Sequence, residues 1–307
     1  MTLPEVGKVN RTISKPFNNS QETGYSPGKL FRQILEQEEI VVAPGAYNAL
    51  TARLAEDQGF KCIHVGGSGI SSSILGLPDM GFASMSQNLD IIRGITGAVR
   101  IPVIADADTG YGNEKNVWNT TQEFERAGVA GIHIEDQVMP KRCGFMKGKQ
   151  VISTQDMIRK IQSAKQAAID KDFYLIARTD AIAPFGFEEA VIRARNYLEA
   201  GADMVLIDAP RNESQITQLP KLIEGPLMVN MAESGTQHLY TVQELKKMGY
   251  KMVIYPITAL LATATAVKNI YEELFNKGTN KHLQDKLYSL KELELLLKQS
   301  KGMPKEV

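Results

Sequence analysis

Asp106 and Asp108 directly follow the short apolar run 103–105, and Glu135 follows another, 131–134. Crowded carboxylates repel one another unless a cation neutralises them, so these hard oxygen donors predict Mg2+, with Mn2+ as the alternative. Asp79, in the stretch Gly76-Leu-Pro-Asp79-Met-Gly81, completes the metal set directly or through water. Gly66, Gly67, Ser68 and Gly69 follow a third run; backbone N–H groups there can approach an anionic oxygen, and the Ser68 hydroxyl adds a donor. The same loop also reads as a plain strand-to-helix turn. Arg178 follows a fourth run and suits a bidentate grip on a carboxylate, unless a salt bridge to Asp180 or Glu135 occupies it. Asp208 and Asn230 close two further runs.

The segment 140–149 gathers Lys141, Arg142, Lys147, Lys149 and two glycines around Cys143. Cations lower a thiol pKa and attract anions, so Cys143 is a candidate proton donor or acceptor on a mobile lid. Cys62, inside an apolar run, reads as packing. His64 falls near the same rim, whereas His133 lies within a run and reads as scaffold. His238 and His282 belong to no motif.

Eight apolar runs (40–43, 62–65, 103–105, 131–134, 174–177, 204–207, 227–229 and 252–255) alternate with longer segments of helical spacing, such as 46–56 and 188–200. Unalternated β-branched and aliphatic residues suit strands covered on both faces. The expected architecture is therefore α/β, a (β/α)8 barrel over residues 30–275, with the chemistry on the loops after the strands. Residues 1–29 are polar and aperiodic and read as an N-terminal arm, and 276–307 as a helical extension. Within that extension, leucines at 283, 287, 290 and 297, on a stripe widened by Leu293, Leu295 and Leu296, predict one amphipathic helix over 282–297 that needs a partner surface. The 35 basic and 35 acidic residues cancel, which argues against a long-range field for nucleic acid or an anionic membrane and points to a small ligand. Two cysteines, no membrane-length apolar run and no secretory pattern predict a cytoplasmic protein.

The phrases Pro44-Gly-Ala-Tyr47, Leu75-Gly-Leu-Pro-Asp79, Asp106-Ala-Asp108, Gly131-Ile-His-Ile-Glu-Asp-Gln137, Lys141-Arg-Cys-Gly144 and Ala177-Arg-Thr-Asp-Ala181 resemble the isocitrate lyase and phosphoenolpyruvate mutase superfamily. Within it, the chain is most similar to the methylisocitrate lyase and dimethylmalate lyase group. The resemblance implies a Mg2+-dependent carbon–carbon lyase that acts on a small carboxylate and releases pyruvate. It implies Asp106 as the main metal ligand, with Asp79, Asp108 and Glu135 on the metal or its waters. Gly67, Ser68, Gly69 and Arg178 would hold the pyruvate-like carboxylate, Asn230 and Asp208 would stand near the distal group, and Lys141, Arg142 and Gly144 would touch substrate from the lid. Cys143 would protonate the departing carbanion. The resemblance also implies a homotetramer, a dimer of dimers with the last helix swapped between subunits.

Phe145 stands where the lid of most such lyases has His, His64 where they have Tyr, and Asp208 where methylisocitrate lyases have Glu. His64 is thereby a candidate base. These departures bear on the substrate more than on the reaction class. Three other readings remain open from sequence: an oxaloacetate decarboxylase, a phosphonate enzyme like phosphoenolpyruvate mutase, whose lid typically lacks the Cys, and an idle metabolite-binding barrel.

Overall fold

Every expected run becomes a strand within two residues of its expected limits in the computed structural model, which describes residues 26–144, 146–233 and 238–298. They are β1 (Val41–Pro44), β2 (Ile63–Val65), β3 (Val103–Asp106), β4 (Gly131–Glu135), β5 (Tyr174–Thr179), β6 (Met204–Ile207), β7 (Leu227–Asn230) and β8 (Met252–Tyr255). All pair in parallel, in the order β1-β8-β7-β6-β5-β4-β3-β2. The barrel closes through a bridge between Gly45 and His64, where Ala46 N–H donates to the His64 carbonyl at 2.8 Å. Glycine is required at 45 because a Cβ there would overlap the Pro256 carbonyl.

Alternate strand residues face opposite ways. One set, including Val41, Ile104, Ile176, Met204, Leu206, Met228, Met252 and Ile254, forms the lumen, together with Phe31, Ile34 and Leu35 of α1 (Pro27–Gln37). Helix α1 plugs the N-terminal end: Phe31 meets Tyr174 edge-on at 5.0 Å, and Arg32 reaches Asp203 at 2.9 Å. The outward set, such as Ile63, Val65, Ile132, Ile134 and Val205, packs against the surrounding helices. These are α2 (Ala49–Asp57), the short α3 (Gly67–Ile70) running into a π-helical turn (Ser71–Leu75), α4 (Met85–Ala98), α5 (Glu114–Arg126), α6 (Thr154–Ala167), α7 (Ile182–Phe185), α8 (Phe187–Glu199), α9 (Glu213–Leu222), α10 (Val242–Met248) and α11 (Thr258–Lys277). Helix α2 starts three residues later than its apolar spacing predicts because Asn48 caps it, taking the Thr51 N–H at 2.9 Å.

Two expectations at the chain ends change. Helix α1 begins at Pro27, capped by Ser26, so 27–29 are helical and not arm; residues 1–25 lie outside the described set. The single helix expected over 282–297 is instead a 3-10 segment (Lys281–Lys286) and a separate helix α12 (Leu290–Lys298). Ser289 separates them, since its hydroxyl accepts the Glu292 N–H at 3.2 Å and starts a new helix. Of that leucine stripe only Leu296 is buried, where its carbonyl accepts from Arg53 Nη2 at 3.0 Å. Among the described residues no helix is long and apolar enough to cross a membrane.

Candidate active site

The last inward position of several strands is polar, so one layer of charge caps the apolar lumen. Register places Asp106 of β3 beside His133 of β4, and Glu135 of β4 beside Arg178 of β5. Asp208 and Asn230 stand after β6 and at the end of β7, with Asn230 Nδ2 donating to Asp208 Oδ1 at 3.2 Å. The barrel thus gathers at one mouth carboxylates that lie far apart in sequence, together with the arginine.

Arg178 is the hub of this layer. Nε and Nη2 donate to the two Asp180 oxygens at 2.9 and 3.0 Å, Nη2 also to Asp208 Oδ2 at 3.0 Å, and Nε lies 3.3 Å from Glu135 Oε2. Both salt bridges that sequence offered as the alternative use of this arginine are therefore present. Three buried carboxylates around one guanidinium fix its plane, which pre-sets it for an incoming carboxylate. Asp180, which sequence offered only as a partner for Arg178, is a site residue in its own right; two residues beyond Arg178, it extends the same polar strand end and is fully buried. Burial works against its charge, but Arg178 and Lys149 bring its pKa down to about 2.

The segment 140–149 folds over this layer. Lys141 is buried, its Nζ lying 2.6 Å from Asp79 Oδ1 and 2.7 Å from Asp108 Oδ1. Lys149, also buried, donates to Asp180 Oδ1 and to the Gly144 carbonyl, both at 2.7 Å. Gly144 lies so close that a Cβ would overlap Asp208 Oδ2 and sit 2.9 Å from Arg178 Nη2. Cys143 N–H donates to the Asp79 carbonyl at 3.0 Å, and its Sγ lies 3.8 Å from Ser68 Oγ, which itself donates to Asp79 Oδ2 at 3.0 Å. Three of the four cations expected to surround the thiol are spent elsewhere: Lys141 and Lys149 on carboxylates, while the exposed Arg142 donates to the Lys147 carbonyl at 3.0 Å. Arg142 is not drawn into the mouth. Phe145 lies outside the described residues.

In the glycine loop, Gly67 N–H meets Asp106 Oδ2 at 3.3 Å, and a Cβ at Gly67 would come 3.2 Å from Lys141 Nζ. Gly69 answers to packing, as its Cβ would press on Tyr47 at 2.9 Å. His64 is sealed in: its Nε2 shares a hydrogen bond with His133 Nε2 at 2.9 Å, the rings stack, and His133 Nδ1 lies 3.6 Å from Asp106 Oδ1. Burial, reinforced by His133, pushes His64 down to about 3. An imidazole so sealed and so weakly basic is hydrogen-bonded to His133 and fits the role of a base poorly. The His64–His133 pair is invisible in sequence, where the two lie 69 positions apart.

Burial raises Glu135 well above the carboxylate range, although Arg178 opposes it. Asp108 is likewise pushed up to about 6 by burial against the pull of Lys141. Asp106 is instead held low, because His133, Lys141 and Arg178 together outweigh its burial. The four expected metal carboxylates do not form a closed cage: among the described residues no three His, Cys, Asp or Glu side chains converge as a ready ligand set, and Lys141 stands between Asp79 and Asp108. The donor chemistry nevertheless fits a hard divalent cation. Glu135 Oε1 is buried with no hydrogen-bond partner, and an all-oxygen acidic mouth is what Mg2+ selects.

Residues 31–275 match the phosphoenolpyruvate phosphomutase family. The chain is 44% identical over 263 residues to 2-methylisocitrate lyase of Aeropyrum pernix, covering 86% of this chain and 84% of that protein. It is 39% identical to 2,3-dimethylmalate lyase of Eubacterium barkeri, covering 87% and 92%. Among solved structures, 2,3-dimethylmalate lyase superposes with a TM-score of 0.84 at 34% identity, covering 89% and 92%. Oxaloacetate acetylhydrolase bound to 3,3-difluorooxalacetate gives 0.83 at 34% identity, covering 88% and 93%. With this fold, this charged mouth and these likenesses across most of its length, the chain belongs to the phosphoenolpyruvate mutase and isocitrate lyase superfamily.

Proposed function

We propose that the protein is a Mg2+-dependent lyase that cleaves the C2–C3 bond of a 2-hydroxy di- or tricarboxylate, of the 2-methylisocitrate or 2,3-dimethylmalate type, to pyruvate and a second carboxylic acid. The observation that carries this reading is the meeting of Asp106, Glu135 and Arg178 at one mouth, under a lid that brings the Cys143 thiol to 3.8 Å from Ser68. Relatives named for the two lyase activities, 44% and 39% identical, support it.

Bound at Asp106, with Asp79, Asp108 and Glu135 on it or its waters, a divalent cation would offset the negative charge that develops on the C2 oxygen. Arg178 grips the C1 carboxylate, with Ser68 and the Gly67 and Gly69 backbone beside it. The C2 hydroxyl proton leaves to a carboxylate of the mouth. The C2–C3 pair then moves onto C3, where the adjoining carboxylate holds it as an enolate. Cys143 delivers its thiol proton to C3, and C2 becomes the keto carbon of pyruvate. Asp208 and Asn230, hydrogen-bonded to each other, border the departing half. The lid excludes water from the carbanion. In this reading the enzyme is cytoplasmic and acts as a homotetramer.

The test offers purified protein and Mg2+ the acids 2-methylisocitrate, 2,3-dimethylmalate, oxaloacetate and phosphoenolpyruvate, with products followed by NMR. Pyruvate with succinate or propionate is the expected result. Turnover of oxaloacetate alone, or of none, would remove the lyase assignment.

A further inference from the structure

The lid leaves a second cavity beside the mouth. It has a volume of about 560 Å3 and is bounded by Gly144, Lys147 and Lys149 of the lid, Ile182 after β5, and Pro210 and Arg211 after β6. Gly144 and Lys149 are walls that it shares with the mouth: Gly144 abuts Asp208 and Arg178, and Lys149 Nζ lies 4.0 Å from Asp208 Oδ2. The cavity therefore adjoins the mouth across these two lid residues.

Its lining holds three cations and no carboxylate. Lys149 is neutralised by Asp180, but neither Lys147 nor Arg211 has an acidic partner within ion-pair distance among the described residues. Arg211 is nonetheless positioned. Its Nη2 donates to the carbonyls of Ile182 at 2.8 Å and Ala183 at 3.2 Å, which ties the guanidinium to the short helix α7 after β5. Surface arginines are ordinarily solvated or paired; one tied to backbone carbonyls beside a cavity keeps its remaining N–H groups for an acceptor.

We propose that this cavity is an anion subsite that receives a carboxylate, held by Arg211 and Lys147. The identity of that carboxylate rests on the lyase reading: in a tricarboxylate substrate, it is the group furthest from the C2 oxygen. The same chemistry would also hold a separate small carboxylate bound beside the substrate. The subsite would favour three-carboxylate over two-carboxylate substrates, a specificity set by loop residues outside the charged layer.

The variants Arg211→Gln and Lys147→Gln replace exposed side chains and are checked for an unchanged melting temperature. If the subsite holds the substrate's own carboxylate, Arg211→Gln raises KM for 2-methylisocitrate about tenfold, with a smaller rise for Lys147→Gln, while kcat and KM for 2,3-dimethylmalate stay put. Calorimetric titration of tricarballylate, with Mg2+ and saturating oxalate filling the mouth, separates the other source. Binding to the wild type that Arg211→Gln abolishes, with both KM values unchanged, identifies an independent carboxylate ligand. Equal KM shifts for the two acids, or unchanged KM together with tricarballylate heats that are absent or indifferent to Arg211, overturn the subsite. A wild type that cleaves neither acid sinks the lyase reading alone, because the titration still judges the subsite.

Discussion

Cys143 and His64 illustrate how position decides what a reactive side chain does. The thiol is half-buried on the lid with Ser68 Oγ 3.8 Å away, so it can meet a carbanion in the mouth. Cys143→Ser should cut turnover by roughly a hundred- to ten-thousand-fold, the range of a lost general acid, while Mg2+ affinity measured by calorimetry stays the same. Undiminished cleavage would take the thiol out of the reaction. His64, by contrast, acts on stability. Its ring stays neutral in the fold down to a pKa of about 3, against 6.5 in the open chain. Below 6.5 the unfolded chain therefore binds the extra proton, and stability is lost as pH falls toward 3, at up to roughly 1.4 kcal/mol per pH unit. His64→Gln removes that titration while keeping a hydrogen-bonding side chain beside His133. Its unfolding free energy should fall less steeply than the wild type's between about pH 7 and about pH 4 in denaturant titrations. Parallel slopes would show that His64 is protonated in the native state.

The strands were legible in sequence because a doubly covered strand needs an unbroken apolar run, and here each such run is bounded by turn residues and followed by a segment of helical spacing. The charged residues that follow those runs were legible for the same reason, since a (β/α)8 barrel puts them all at one end. What sequence could not show was pairing across that end. Lys141 and Lys149 read as cations around a thiol, but the lid turns both inward onto Asp79, Asp108 and Asp180. The leucine stripe of the C-terminal extension misled in another way: helical spacing persists across Ser289, where a cap breaks the helix. The lid's two anchors give separable predictions. Lys141→Met leaves Asp79 and Asp108 facing each other without a counter-charge, so its melting temperature in EDTA should drop by several degrees, and added Mg2+ should raise it by more than in the wild type. An equal Mg2+ response in both proteins would show that these carboxylates do not reach the cation. Gly144→Ala acts sterically: the added methyl collides with Asp208 and cannot be seated without lifting the lid. Faster proteolysis within 140–149 and at least tenfold lower kcat are expected, with the melting temperature little changed. Wild-type cleavage kinetics and turnover would mean that the lid does not rest on Asp208.

At the scale of the whole molecule, helix α11 is out of keeping with its barrel. The other long helices bury a stripe against the strands, whereas α11 has no buried residue along its 20 positions. Its polar ties to the barrel are few: Tyr47 OH donates to Thr263 Oγ1 at 2.8 Å, and Thr258 meets Glu233 at 2.5 Å. Further along, Tyr271 is 66% and Phe275 91% exposed, and Leu261, Val267 and Leu274 are exposed as well. An apolar helix face this long costs too much free energy to leave in water, at about 25 cal/mol per Å2 of apolar surface. The apolar face and the tetramer proposed above account for each other if α11 packs on a neighbouring subunit. Tyr271→Asp with Phe275→Asp places two charges on that face without touching the mouth, so sedimentation velocity should show the wild type as a tetramer and the double variant as a smaller species at the same concentration. Far-UV circular dichroism should remain unchanged, because neither side chain is buried in its own barrel. A wild type that sediments as a monomer would show that no second copy covers this face, whereas a double variant that remains tetrameric would place the contact elsewhere.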